Sequence, residues 1–411
     1  MTLDYRTYDP TKDKEAVQRI WREIGWLEKG KEECLDLLLS CSRALVADVH
    51  GAPECLVLTT PGTMRYLDEE LSFIAVTGVT TSLIARKQGL AKGLLAQALA
   101  ADAAAGALVV SLGVFEQGYY DQLGFGTGSY ELWCSFDPAR LKIEAKPRVP
   151  RRLTINDWPA MHAARLVRRR GHGAANLNPP EITHADLIWS ENGFGLGYSD
   201  GPNGELTHYF WVSAKEVEHG PYDTSLLVFQ TAEQFRELLA LLKSLGDQVR
   251  SVSLREPPGI QMQDLLEQPF RQRALTKGSK FESTSRASAY WQVRLLNLPG
   301  CLARTHLPGH EVRFNLRLTD PVEPLLDETA PWRGVAGDYV VTLGPSSGAE
   351  PGRDAALPTL AASVGAFTRL WLGVRPATSL AVTDDLSGPR ALLENLDWLL
   401  RLPAPKPDWD F

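Results

Sequence analysis

The sequence lacks the features that mark secreted, zinc-binding and membrane-spanning proteins. Its five cysteines are an odd number without C-x-x-C spacing, which argues against a disulfide framework or a zinc site and favours a reducing cytoplasm. The first fifteen residues are charged and contain no apolar segment, so we expect no secretory signal. The most apolar stretch, residues 94–115, is interrupted by Asp102 and Gly106 and predicts a helix followed by a strand.

Positive charge is also scarce, since 43 Lys and Arg residues face 50 Asp and Glu residues, for a net charge of -7. Nucleic acid and membrane surfaces are therefore not expected as partners, whereas a cationic small molecule would be attracted. The Walker pattern is absent, which argues against a nucleotide triphosphatase. His306 and His310 are separated by Pro308 and Gly309, which predict a turn, so we expect no metal site.

The hydrophobic patterns predict an α+β protein in three sections. In residues 1–145 they indicate strands and helices around a central strand–loop–helix unit. In residues 146–285 the same order of helix, strands and a strand leading into a long helix returns, which is consistent with a diverged internal duplication. Residues 286–411 form a third α+β section with a hairpin, a glycine-rich loop and closing helices.

The sharpest local signal is RKQGLA, residues 86–91, between a β-branched strand and a long helix. Unpaired backbone N–H groups at a helix start attract phosphate, and glycine lets the backbone come close. A second predicted strand ends in GYYDQLGFG, residues 118–126. Together with this strand, the loop pattern favours pyrophosphate binding over a basic turn. The candidate cofactor-binding residues are Val79, Thr80, Thr81, Arg86, Lys87, Gln88, Gly89, Leu90 and Ala91.

These segments resemble the Eis (enhanced intracellular survival) family of GNAT-type N-acetyltransferases. The loop 86–91 is similar to the family's acetyl-CoA loop, and GYYDQLGFG to its G-[IFY]-Y-x-x-[FL]-G-[FY] element. YWQVRLLNLPGCLART at 290–305, LRLTDP at 316–321 and LAASVGAFTRLWLG at 360–373 are similar to its C-terminal part. The resemblance implies two tandem GNAT domains, 1–145 and a degenerate 146–285, followed by a sterol-carrier-protein-like domain, 286–411.

The resemblance also implies roles for single residues. Tyr120 matches the position of the family's general acid, which protonates the departing thiolate of acetyl-CoA. The carboxylate of Phe411 matches the family's C-terminal base. Strand N–H groups at Val79 and Thr81 would bind the pantetheine chain and polarise the thioester carbonyl. The second strand–helix junction, LVFQTAEQFRELLALL at 227–242, has neither glycine nor a basic pair, so we expect it not to hold coenzyme A.

The C-terminal sequence PAPKPDWDF, residues 403–411, supports a docked tail by itself. Three prolines keep it extended, and Trp409 and Phe411 are apolar anchors, while Asp410 adds negative charge for a cationic substrate. An amine with a pKa near 10 is almost wholly charged at neutral pH, so transfer to it needs a base. An ordinary α-carboxyl group has a pKa near 3.5, so burial or a bridging water would have to assist it.

We therefore expect a cytoplasmic, acetyl-CoA-dependent N-acetyltransferase that uses a direct ternary complex. The acceptors would be amines of cationic small molecules, for which the resemblance implies aminoglycosides; protein lysines and polyamines stay open. The resemblance also implies a homo-oligomer, often a hexamer. The alternative from another class is a lipid- or sterol-binding protein with relic GNAT domains. Trp21, Trp26, Glu28 and Asp36 are weaker candidates for pocket walls, and a core face or solvated helix suits them better.

Overall fold

The computed structural model describes residues 4–411, so the first three residues of the predicted section 1–145 lie outside it. Three mixed sheets with helices confirm the predicted α+β class. None of the helices in the described range combines the length and apolarity that crossing a bilayer requires.

The secondary-structure elements follow in chain order. Up to residue 136 they are β1 (Asp4–Thr7), α1 (Lys14–Glu23), α2 (Glu32–Cys41), β2 (Arg43–Val49), β3 (Ala52–Tyr66), β4 (Glu69–Thr81), α3 (Leu90–Ala104), β5 (Val109–Gly113), β6 (Gly126–Thr127) and β7 (Glu131–Phe136). Up to residue 288 they are β8 (Arg151–Leu153), α4 (Trp158–Leu166), β9 (Ala175–Leu177), α5 (Pro180–Trp189), β10 (Phe194–Tyr198), β11 (His208–Ser213), β12 (Tyr222–Val228), α6 (Ala232–Ser244), β13 (Val252–Arg255), α7 (Pro269–Thr276) and β14 (Thr284–Ser288). The remaining elements are β15 (Trp291–Leu295), α8 (Leu298–Leu302), β16 (Val312–Thr319), β17 (Gly337–Leu343), β18 (Gly348–Pro351), β19 (Thr359–Ser363), α9 (Val364–Trp371), α10 (Ala377–Thr383), β20 (Leu386–Ser387) and α11 (Arg390–Leu399).

The first and second sheets have the same layout. The first runs β1-β2-β3-β4-β5-β15-β6, and the second runs β8-β10-β11-β12-β13-β7-β14. In both, the fourth and fifth strands are parallel and are joined by a long helix, whereas the other neighbours along each order are antiparallel. The parallel pair with its crossover helix is the unit in which the sequence predicted a phosphate-binding loop.

Three strands lie in a sheet other than that of their own section. The short strand β9 belongs to the predicted second section but pairs with β3 of the first sheet. Strand β7 belongs to the predicted first section but lies in the second sheet, between β13 and β14. Strand β15 belongs to the predicted third section but lies in the first sheet, between β5 and β6. The sheets therefore do not follow the boundaries at 145 and 285, and the division into domains at those residues stays a prediction.

The third sheet, β18-β17-β16-β19-β20, is fixed to the first by a buried ion pair and by aromatic stacking. Arg294 on β15 and Asp320 beyond β16 are both fully buried and lie 2.6 Å apart. Tyr66 stacks on Trp371 of α9 at 4.6 Å between ring centroids, and its hydroxyl donates to the Trp371 carbonyl. The sterol-carrier-like identity of this section stays a prediction.

Candidate active site

Helix α3 begins with an uncapped turn. Its N-cap residue, Gly89, has a φ of +80° and makes no side-chain cap, and Leu90 is the first helical residue. Lys87 also has a positive φ, +61°, and the space where a Cβ of Gly89 would lie is open. Arg86 and Lys87 are exposed and form no ion pair with any described residue. The loop thus offers free backbone N–H groups, the positive end of the helix dipole and two uncommitted cations, which suit a pyrophosphate.

A slot opens beside this loop because β4 and β5 diverge. The last paired residues are Val76 on β4 and Leu112 on β5, and a bulge in the β3–β4 ladder lies at the same level. Beyond the bulge at Thr77, residues 78–81 of β4 pair only with β3 among the described strands. The candidate residues Val79, Thr80 and Thr81 lie on this free strand edge, where an extended chain can bind backbone N–H and C=O groups.

The slot leads into a cavity of about 340 Å³. The cavity brings together residues that are far apart in the sequence: Tyr120, and Trp409, Asp410 and Phe411 of the C-terminal tail, with Val79 of β4 among the other lining residues. The loop residues 86–91 are not part of its lining. The candidate residues therefore fall into two groups, one at the loop and the slot and the other in the cavity.

Tyr120 is suited to donate a proton. Its side chain is buried and packs edge-to-face on Tyr119, with 5.0 Å between ring centroids. Burial raises the pKa of Tyr120, so the phenol stays protonated at neutral pH. No hydrogen-bond partner of its hydroxyl lies within the part of the chain that the structure describes, which leaves the proton available to a bound group.

The tail is held mainly by the second section. Arg168 is buried and donates to both the carboxylate and the carbonyl of Asp408, each at 2.9 Å. The Arg165 guanidinium lies 3.4 Å from the centre of the Trp409 ring. Backbone bonds join Lys406 to His172 and Ala175 to Pro407. These contacts anchor the tail through the buried ring of Trp409, whereas the ring of Phe411 is half-buried.

The terminal carboxylate reaches the mouth of the slot. The ring of Phe411 packs on Phe73 of β4 at 5.7 Å between centroids. A Cβ at Gly113, the last residue of β5, would lie only 2.9 Å from the Phe411 carbonyl oxygen, so glycine is needed there for the close approach. The carboxylate therefore lies where β4 and β5 diverge, beside the path of an acyl chain in the slot.

Two charged lining residues, Glu131 and Arg255, were missed by the sequence reasoning. Glu131 is 4% exposed and lies 3.4 Å from Arg255, and Arg255 also pairs with Asp410 of the tail. The only available signal in the sequence was the alternation of side chains along a strand. It places Glu131 on the same face of β7 as Trp133, which also lines the cavity.

Of the weaker candidates for pocket walls, only Trp26 lines the cavity. Trp21 belongs to the core, Asp36 pairs with Lys14, and Glu28 is exposed beside Lys31.

At the corresponding position of the second sheet, side chains cap the start of helix α6. Helix α6 has Thr231 as its N-cap, which accepts from the Gln234 N–H, and the Gln234 side chain accepts from the Thr231 N–H in return. This capping box satisfies two of the N–H groups that remain free in α3. The tail residues Asp408, Trp409 and Asp410 line the space beside residues 224–229, where only about 50 Å³ remains.

One cluster in residues 4–411 has ligand-type atoms close together. Asp200, His208 and Glu237 place such atoms within 4.8 Å of one another. Arg148 pairs with both carboxylates at 2.7 Å. Its guanidinium binds both carboxylates and offsets one of their two negative charges, which is typical of an ion-pair network.

The comparisons with known proteins agree with this geometry. The family described as "Acetyltransferase (GNAT) domain" matches residues 15–128, which include β4, the loop 86–91 and Tyr120. Residues 15–128 are thus similar to a GNAT acetyltransferase domain. A search among curated proteins finds no match.

Solved structures extend the likeness to the whole chain. A probable N-acyltransferase from Enterococcus faecalis has a TM-score of 0.78 at 16% identity, covering 98% of both chains. Eis1 from Mycobacterium abscessus has a TM-score of 0.75 at 17% identity, covering 100% of both chains. A GCN5-related N-acetyltransferase from Kribbella flavida has a TM-score of 0.74 at 19% identity, covering 100% of this chain and 99% of that one. The predicted likeness to Eis-type proteins is thus confirmed at the level of the fold.

Proposed function

We propose that the protein transfers the acetyl group of acetyl-CoA directly to an amine of a cationic small molecule. The observation that carries the proposal is the meeting of Tyr120 and the Phe411 carboxylate in one cavity, at the divergence of β4 and β5. The slot and the open start of α3 lead into the same place from the other side. Acetyl-CoA, when bound, supplies the activated acetyl group.

The chain's own residues then have separate tasks. Arg86, Lys87 and the first N–H groups of α3 bind the pyrophosphate. The free edge of β4 at Val79 and Thr81 orients the pantetheine and its carbonyl. Tyr120 gives its proton to the leaving sulfur. The Phe411 carboxylate is the base that takes the proton of the amine, directly or through a water. Deprotonating that amine at neutral pH costs roughly 4–5 kcal/mol.

The cavity wall favours a cationic acceptor. Glu131, Asp410 and the terminal carboxylate contribute three acidic groups, against the single guanidinium of Arg255. The aromatic rings of Trp26, Phe115, Trp133, Tyr290 and Trp291 also line the cavity, and such rings attract ammonium groups. Aminoglycosides, which the family resemblance implies, carry several amines and fit this description; polyamines and protein lysines are the competing acceptors. A cytoplasmic location and a homo-oligomeric, hexameric assembly belong to the same proposal.

The test is thiol release from acetyl-CoA with a panel of aminoglycosides, polyamines and lysine peptides. The intact chain is compared with a form that lacks Phe411. We expect turnover by the intact chain only, with the accepted amines defining the substrate class. Equal turnover by both forms would show that Phe411 has a structural role and no catalytic one. No turnover by the intact chain with any amine would contradict the proposal and favour the lipid-binding alternative.

A further inference from the structure

The proposed base is the last group of the chain, and a chain end moves freely unless contacts hold it. Trp409 is fixed, because its ring is buried and its centre lies 3.4 Å from the Arg165 guanidinium. The chain continues for two more residues and ends at Phe411, whose ring is only half-buried. One residue spans at most about 3.6 Å, so a second contact beyond Trp409 is needed to hold the terminal carboxylate beside Gly113.

Arg255 supplies this second contact from the second section. It ends β13, and its guanidinium forms an ion pair with the carboxylate of Asp410, the residue that precedes Phe411. The side chain of Arg255 is 14% exposed, whereas that of Asp410 is 68% exposed. The arginine is therefore the fixed member of the pair, and the tail residue is the one that it holds.

Arg255 itself is held by two residues of the neighbouring strand β7. Its Nη1 atom lies 3.4 Å from Oε1 of Glu131, and its guanidinium lies over the Trp133 ring at 4.9 Å from the centroid. A buried guanidinium requires a counter-charge close to it, and the buried carboxylate of Glu131 provides one. Glu131 therefore keeps Arg255 in the orientation from which it reaches Asp410.

Resting on the proposed function, we propose that Arg255 is a positioning residue, which holds the Phe411 carboxylate at Gly113 by pairing with Asp410. The terminal carboxylate stays the base, and Arg255 acts through the tail and not on the reacting atoms. Because the ion pair and the terminal carboxylate belong to adjacent residues, loss of the pair lets the carboxylate turn away from the amine. A displacement of about 1 Å in a reacting group can reduce the rate about 100-fold.

The test is steady-state thiol release from acetyl-CoA with kanamycin or spermidine, whichever turns over faster. Arg255→Met removes the charge and keeps a long side chain. We expect kcat to fall about 100-fold. The KM for acetyl-CoA should stay within about two-fold of the wild-type value, because the loop 86–91 and the edge of β4 are unchanged. Arg255→Lys keeps the charge and should recover part of kcat.

The matched control is Arg286→Met. Arg255 and Arg286 both lie directly opposite Trp133, on the two strands that flank β7. Arg286 is exposed and does not line the cavity, so we expect its variant to retain the wild-type kcat. Equal losses in the two methionine variants would overturn the inference. An Arg255→Met variant that keeps the wild-type kcat, or that changes only the KM for the amine, would also overturn it.

A chain that lacks Phe411 separates positioning from a direct role of Arg255. If Arg255 acts only through the base, Arg255→Met should lower kcat no further once Phe411 has been removed. A further loss as large as that in the intact chain would overturn the inference. Where the shortened chain has no measurable turnover, Asp410→Asn in the intact chain takes its place, and the same two results decide.

Thermal unfolding shows whether Arg255→Met is folded. If it is not, Asp410→Asn decides by itself, because it breaks the ion pair from the exposed side and should lower kcat. A wild-type kcat in Asp410→Asn would then overturn the inference and leave the proposed function standing. Equal turnover with and without Phe411, or no turnover by either chain, contradicts the proposed function first, and the inference falls with it.

Discussion

The first and second sheets have the same strand order but differ where a nucleotide would bind. In the first, the start of α3 at Gly89 is uncapped, and its two cations form no ion pair with residues 4–411. In the second, the capping box of Thr231 and Gln234 closes the start of α6. The cavity beside the first divergence measures about 340 Å³, whereas about 50 Å³ remains beside β12. Shared topology therefore does not give a shared site, because a few residues at the helix start decide whether phosphate can be held.

In the second section, the region that corresponds to the first cavity binds the C-terminal tail. Arg165 of α4 and Arg168, two residues beyond the end of that helix, bind Trp409 and Asp408 of the tail. Arg255 at the end of β13 pairs with Asp410. The tail thereby fills the place that corresponds to the first cavity and carries its terminal carboxylate across to Gly113. In the proposed function, the first half binds acetyl-CoA and the second half positions the C-terminal tail.

The largest expected effect follows from releasing the tail in Arg168→Met. The change leaves Asp408 without its buried partner, and removing one member of a buried ion pair costs roughly 3–5 kcal/mol. We expect a lower free energy of unfolding and faster release of Phe411 by carboxypeptidase. Arg401→Met, an exposed arginine near the start of the tail, is the control. Digestion as slow as in the wild type would show that Arg168 does not anchor the tail.

Acid should weaken the same anchor through His162. This buried histidine faces Trp409 and lies beside Arg165, and burial lowers its pKa to about 4. Its neutral form is favoured in the folded state, so its contribution is complete above its unfolded pKa of about 6.5 and is lost as the pH falls through 4. The loss amounts to roughly 3 kcal/mol for 2.5 pKa units.

The measurement is the free energy of urea unfolding at several pH values, for the wild type and for His162→Gln. We expect the difference between the two to change between pH 6.5 and 4. A difference that is independent of pH would contradict this assignment. Because His172 and His208 also have lowered pKa values through burial, only the difference between the two proteins is informative.

Removing the cations of the α3 loop should weaken cofactor binding without unfolding the chain. For Arg86→Ala combined with Lys87→Ala we expect a 10- to 100-fold higher Kd for acetyl-CoA, roughly 1.4–2.8 kcal/mol, and a weaker dependence on salt. Arg236→Ala on the exposed face of α6 serves as the control and should leave Kd unchanged. Equal Kd values in all three proteins would place the phosphates elsewhere.

The smallest effects compare the two helix starts directly. Thr231→Ala removes a cap of α6 and should cost about 1 kcal/mol of stability, with no change in acetyl-CoA binding. Gly89→Ala strains a positive φ at a similar cost, but it should also weaken binding because the loop must shift. Calorimetric unfolding and binding titrations of the two variants check this contrast. A loss of binding in Thr231→Ala would mean that the second helix start participates.

The sequence was sufficient for features that depend on local order. Strand β4, the loop 86–91 and the start of α3 at Leu90 follow from β-branching, glycine and apolar periodicity, and the prolines with two aromatic anchors predicted a docked tail. It was insufficient for features created by long-range pairing. The exchange of β7 and β15 between sheets has no local signal, and Arg255 enters the cavity only because β13 pairs with β7. Glu131 looks like an ordinary strand residue until the tail covers it.

The most direct test of the central contrast is the number of acetyl-CoA molecules bound per chain, measured by isothermal titration calorimetry. An open start at α3 and a closed start at α6 predict one equivalent, and this equivalent should be weakened by the Arg86→Ala, Lys87→Ala pair. Two equivalents per chain, or one equivalent that the pair of substitutions leaves untouched, would contradict the account.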